Sequence, residues 1–218
     1  MGIAELDVDN QLISLRATII LYGDAATEQL CREVAADIES HWNEPAATVY
    51  FQNIPYRFQF KMQGLYAPQL RHVDIHQNDN PLNNYFRIEA FSDLHISFVD
   101  GLGCNTGYFK LDNLLNNSTT AAHEFGHTLG LDHPLDLDIR GRGIPGIMYP
   151  RGTITDPQFQ YDPEAAPATK GGTLNPFFRK VLQTDIEDLH LAKKFSKRNS
   201  RAVVGEFSSV WHDKHGSL

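Results

Sequence analysis

Five residues in one short stretch carry most of the chemistry legible in this chain. Residues 121–134 read Ala-Ala-His-Glu-Phe-Gly-His-Thr-Leu-Gly-Leu-Asp-His-Pro. His123 and His127 are four apart, so on a helix both imidazoles lie on one face, one turn apart, where a single ion can touch both. Glu124 lies about a hundred degrees round the axis. It can reach a water on that ion without taking a ligand position. Gly130 ends helices cheaply because it tolerates left-handed backbone angles, and a turn there would bring His133 back to the same ion. Three neutral imidazoles with one open position is the pattern of catalytic zinc. A His-x-x-x-His pair alone is commonly a surface accident. The five positions together arise by chance on the order of once in ten million start positions at average residue usage. The helix is also apolar where a buried active-site helix must be, at Ala121, Ala122, Phe125 and Leu129.

A second motif follows at Gly146-Ile147-Met148-Tyr149-Pro150. With the histidine run it resembles the metzincin clan of zinc metalloproteases, and in motif the matrixin branch most closely. The specific likeness spans roughly residues 118–150. The resemblance implies a zinc-dependent endopeptidase with one catalytic zinc on His123, His127 and His133 and Glu124 as general base. It makes Met148 the apolar floor beneath the histidines. It also implies a polypeptide substrate lying extended along an edge strand, drawn from the segment between Leu94 and Phe109. No tyrosine ligand is expected, because the position two after the methionine is Pro150. The position two after that proline, aromatic in matrixins, is Gly152.

These residues need a scaffold. Residues 13–22 are rich in β-branched types and predict a strand. Asp24 is then expected to cap a helix whose stripe is Leu30, Val34, Ile38 and Trp42, stopping before Pro45. Thr48–Phe51 reads as a short strand. Tyr56, Phe58, Phe60 and Met62 alternate with polar residues in the clearest half-buried strand of the chain. Val73 and Ile75 alternate with His72, Asp74 and His76 and predict another; Tyr85–Glu89 and Leu94–Val99 complete the β-rich part. A helix is expected from about Ser118 to Leu129. Residues 134–180 carry seven prolines, from Pro134 through Pro163 and Pro167 to Pro176, and predict irregular chain. A last helix is expected from a Thr184 cap, with Ile186, Leu189 and either Leu191 or Ala192 inward. The tail from Ser196 has few anchors, although Val203, Val204, Phe207, Val210 and Trp211 could dock.

The expected architecture is therefore α/β of the α+β kind. It has a metzincin-like mixed twisted sheet backed by two long helices, then an irregular C-terminal subdomain ending in a helix. The boundary falls at residue 133: residues 1–133 hold the active-site helix, and 134–218 hold the methionine turn, within one catalytic domain.

Formal charge is −8, which disfavours nucleic acid as a partner, since phosphate backbones need a basic footprint. No apolar run is long enough to span a membrane. Met1–Asn10 lacks the pattern of a secretory signal, whereas the resemblance favours a secreted or exported enzyme; the cytoplasm stays open. A bridge between Cys31 and Cys104 is one alternative; a small buried side chain at Cys31 is the simpler one. Three weaker signals have plainer readings. The His72, Asp74, His76 face could hold a second metal but is more simply solvated. His212 and His215 are weaker still. Asp132 could orient His133 or merely brace its loop. Two other functions compete: a non-catalytic binding module stabilised by zinc on the same scaffold, and a protease-type toxin or effector. Glu124 discriminates against the first, because a structural site has no use for a general base.

Overall fold

The computed structural model describes residues 1–115, 118–162, 164, 173–195 and 199–216. Pro163, Pro167 and Ser196 lie outside them. Strand β1 (Gly2–Asp7) turns back antiparallel onto β2 (Leu12–Tyr22), the long strand around which the sheet is built. Helix α1 (Glu28–Asn43) follows, then the hairpin of β3 (Thr48–Phe51) and β4 (Ile54–Tyr66). A single short helix, α2 (His72–His76), leads to β5 (Asn83–Glu89), β6 (Phe98–Val99) and β7 (Thr106–Lys110). Helix α3 (Thr120–Thr128) carries the histidine motif. After a long irregular stretch come α4 (Gln183–Asp188), α5 (Leu191–Lys194) and β8 (Arg201–Val204).

The sheet is mixed, as expected, and runs β3-β4-β2-β5-β7-β6. β2 pairs parallel with β4 on one side; on the other it gives residues 12–16 to β1 and 18–22 to β5. Asn84 closes the junction, its amide donating to the carbonyls of Met1 and Thr18. β8 then adds to the free side of β1. β6 pairs only with β7 among the named strands, which leaves it as the edge.

Two-residue alternation along β2 divides the molecule. Ile13, Leu15, Ile19 and Leu21 enter the main core, whereas Ile20 and Tyr22 face a smaller cluster with Ile75 and Tyr85. The main core holds the stripe of α1, where Val34, Ile38 and Trp42 are buried, against Phe60 of β4 and Phe125 of α3. Trp42 sits edge-on to Phe125, and its indole N–H donates to the Ala122 carbonyl at 3.1 Å. Burying a ring such as Phe60 or Phe125 contributes about 1.5–3 kcal/mol. This packing fixes α3, and with it both helical histidines, against α1 and the sheet.

Several local expectations are corrected. Residues 72–76 form a helix, not a strand. Arg71 is extended at its start, and its N–H donates to the Asp74 carboxylate at 2.9 Å. Five alternating residues cannot distinguish one short helical turn from a strand when only Ile75 is buried. Asp24 does not cap α1. Thr27 does, its hydroxyl accepting from the Leu30 N–H at 3.1 Å, while Asp24 pairs with Lys214. The helix expected from a Thr184 cap is capped instead at Leu182, whose N–H donates to Asp185, and His190, where φ is +50°, separates it from α5. Ile186, Leu189 and Leu191 are nonetheless buried. The C-terminal part does not close on that helix but returns to the sheet as β8. Beyond it Trp211 stacks on Tyr22, 4.9 Å between ring centroids. Both cysteines are free, and Cys31 is buried in α1.

Candidate metal centre

α3 ends in a way that explains why the third histidine can return. The Leu131 N–H donates to the Gly126 carbonyl and the Gly130 N–H to that of His127, at 3.1 and 3.0 Å, the paired bonds of a Schellman turn. Gly130 has φ +92°, a conformation costly for any residue with a Cβ. The chain then reverses to bring His133 over the helix. Asp132 braces that loop: its carboxylate accepts the N–H of His133 at 2.7 Å.

The three rings converge. His133 Nε2 lies 3.1 Å from His127 Nε2 and 3.2 Å from His123 Nε2. On the far side of two rings, the partner fixes the tautomer. His123 Nδ1 is 2.7 Å from the Ile147 carbonyl and His127 Nδ1 is 2.7 Å from that of Leu131. A carbonyl only accepts, so each Nδ1 carries the proton and each Nε2 presents a bare lone pair to the others. With His133 also bare at Nε2, the lone pairs at about 3 Å would repel unless a cation lay among them. Four ligands at zinc–nitrogen distances of about 2.0–2.1 Å stand about 3.3 Å apart in a tetrahedron. The residues therefore fit a metal ion, and the triad could hold one. Burial lowers the pKa of all three, most strongly for His123, which keeps them in the neutral form a metal requires.

Glu124 is buried beside them and makes no hydrogen bond among the described residues. Desolvation pushes its carboxyl up to about 8, opposed by the charge of Arg179; a dication nearby acts in the same sense as Arg179. Met148 packs against α3 at Gly126. A Cβ on Gly126, between the two helical histidines, would overlap the Met148 sulfur, so glycine is what lets the methionine lie against the helix. Asp185 anchors the chain here, taking backbone hydrogen bonds from Leu182 and Ile147; burial raises its pKa to about 6.

A cleft of about 500 Å³ opens over the triad. Ile96, Phe98, Val99, Pro150, Arg151 and Gly152 are among its lining residues. The edge strand β6 thus runs beside the histidines.

No protein-family model matches this chain, and no curated protein sequence does. Solved structures do. One is the crystal structure of archaemetzincin from Methanopyrus kandleri, 12% identical, TM-score 0.45, with 83% of this chain and 97% of that chain covered. The likeness is loose and of fold only, and it lends the matrixin branch no support.

The sequence brought His123, Glu124, His127, His133 and Met148 forward; the first four line one cleft, and Met148 lies against α3 at Gly126. It did not bring forward Arg179, an isolated arginine in a Pro-Phe-Phe-Arg run with no spacing to mark it. Arg179 donates through Nε to the Thr119 hydroxyl and through Nη1 to the Tyr149 carbonyl, both at 3.0 Å, and Nη1 also lies 2.9 Å from His123 Nδ1. That last approach is not a hydrogen bond, because the proton on Nδ1 belongs to Ile147. Burial lowers the pKa of the guanidinium to about 10. The carbonyls of Ile147 and Leu131 were equally hidden, since backbone partners leave no trace in side-chain type. His72 and His76 lie 6.2 Å apart, ring to ring, with Asp74 engaged by Arg71. His212 contacts Asp100 at 2.8 Å, and His215 stacks on Tyr108. Among the described residues neither pair joins a group of three metal-ligating side chains.

Proposed function

We propose that this protein is a zinc-dependent endopeptidase of the metzincin type. The observation that carries the reading is the meeting of three histidine Nε2 atoms, two of them held in the ligating tautomer, with a buried carboxylate, Glu124, that has no hydrogen-bond partner among the described residues, in a cleft bordered by a sheet edge. His123, His127 and His133 would hold one zinc ion. When bound, zinc supplies a Lewis acid that polarises a carbonyl and lowers the pKa of water to about 7. The rest falls to the chain. Ile147 and Leu131 hold the two helical imidazoles in the ligating tautomer. Met148 gives the triad a dry floor. β6 offers main-chain groups to which an extended peptide adds as a further strand, with the cleft taking alternate side chains. Glu124 accepts a proton from the attacking water and returns it to the departing amine nitrogen.

A zinc-stabilised binding module is disfavoured by Glu124 itself. A buried carboxylate without a hydrogen bond is costly, and structural zinc gains nothing from it. The reading is tested by elemental analysis of unchelated protein, expected to give about one zinc per chain, together with mass-spectrometric mapping of cleaved peptide bonds. Metal-free protein that still cleaves peptides would overturn it.

A further inference from the structure

The cleft is lopsided in charge. Its lining holds one carboxylate, Glu124, against two guanidinium groups, Arg151 and Arg179. Neither arginine forms an ion pair among the described residues. Arg151 is exposed at the rim, whereas Arg179 is only 4% exposed. The Arg179 side chain is held rigidly by Thr119 and Tyr149, as described above, yet its second terminal nitrogen, Nη2, has no hydrogen-bond partner among the described residues. Glu124 acts on it only through space. A guanidinium is charged at any physiological pH. Burying one without a counter-ion is expensive, and the fork geometry suits a carboxylate better than any other peptide group.

We infer that Arg179 and Arg151 form a carboxylate-binding subsite, so that the favoured substrate carries a carboxylate close to the scissile bond. The inference rests on the peptidase reading and sharpens it. Arg179 is the fixed, buried half of the subsite, and Arg151 is the exposed half at the rim. The carboxylate comes from an Asp or Glu side chain or from the C-terminus of a short peptide. A site built to pair a charge rejects the neutral isostere strongly, because the buried donors are then left unmatched.

The test uses acetylated hexapeptides in matched pairs. One series is amidated and carries Glu or Gln at each position in turn. The other has no acidic residue and ends in a free carboxylate or an amide. Binding is measured by calorimetry on the zinc-loaded Glu124→Ala variant, and cleavage on the parent. The expected result is at least about 10-fold tighter binding of the carboxylate member at one position, consistent with charge-assisted hydrogen bonds. Whichever series shows the larger ratio identifies the source. Arg151→Gln and Arg179→Lys should each cut that ratio several-fold while zinc content is unchanged, which separates pairing with arginine from direct ligation of zinc. Should Arg179→Lys fail to fold, Arg151→Gln carries the same test. Equal binding of the carboxylate and neutral members in both series, or a ratio that neither variant alters, would overturn the inference. Cleavage without acidic preference sinks the subsite and leaves the peptidase. A carboxylate preference in binding with no cleavage by the parent does the reverse.

Discussion

Replacing Gly130 by valine alters no group that touches the metal, yet it should weaken zinc binding. A Cβ at residue 130 would meet nothing within 4 Å, so the substitution creates no clash. Its cost is conformational: φ is +92°, and holding an L-residue in the left-handed region costs about 1–2 kcal/mol, with a β-branched side chain at the upper end. That strain relaxes only if the turn opens and the bonds from Gly130 and Leu131 back to α3 are lost. Opening it moves the Leu131 carbonyl off His127 and carries His133 away. In metal-free protein the turn is free to open; binding zinc forces it shut again, so the strain appears as lost affinity. One to two kcal/mol corresponds to about 5- to 30-fold in Kd. Chelator competition against the parent measures this directly. Gly130→Asn, which tolerates the left-handed region better, should lie between the two. If Gly130→Val holds zinc as tightly as the parent, residues 130–133 do not deliver a ligand, and the case for His133 fails.

Three further outcomes are expected. Glu124→Ala should keep its zinc while peptide hydrolysis falls by about 10²–10⁴-fold; near-parental turnover would remove Glu124 from its role. Gly126→Ala should push the Met148 sulfur off the helix and destabilise the protein by about 1–3 kcal/mol, read from denaturant unfolding; an unchanged midpoint would contradict the packing. For Asp185 the folded pKa is raised, from 3.8 to about 6, so folding favours the protonated acid. Its contribution is most favourable below the unfolded value, declines as pH rises between those two values, and is level above. The stability difference between parent and Asp185→Asn should therefore fall over that window and then flatten; a difference that rises there would reverse the assignment.

What the sequence makes legible tracks how local each signal is. The histidine motif works because its geometry is set by one helix and one turn, so that the φ of Gly130 follows from residue type and position alone. Long alternations behave similarly: Tyr56 to Met62 and the stripe Val34, Ile38, Trp42 are decided by period alone. Where a segment has five residues, as at His72–His76, period cannot choose, and the Arg71–Asp74 contact decides. Competition between caps is hidden for a related reason. Asp24 and Thr27 are both good caps, and the pull of Lys214, from the other end of the chain, lies beyond any local window. Arg179 is illegible because its position comes from loops that fold back over α3, and nothing in its neighbours marks a lone arginine as buried.

The pairing of β1 with β8 has a consequence for how the chain comes to be folded. Ile3 lies opposite Val203, so the two strands meet only after most of the polypeptide exists. At about 5–20 residues per second, the ribosome leaves β1 without that neighbour for roughly ten to forty seconds. During that interval its edge is open to mispairing with other chains. The histidine motif has by then long been made, but Arg179, whose fork spans Thr119 and Tyr149, arrives only shortly before β8. Completion of the sheet and roofing of the metal cleft are thus late, nearly simultaneous events in the life of each molecule. Hydrogen exchange on nascent chains stalled at increasing lengths would register them as amides of β1 and α3 gaining protection at nearly the same length.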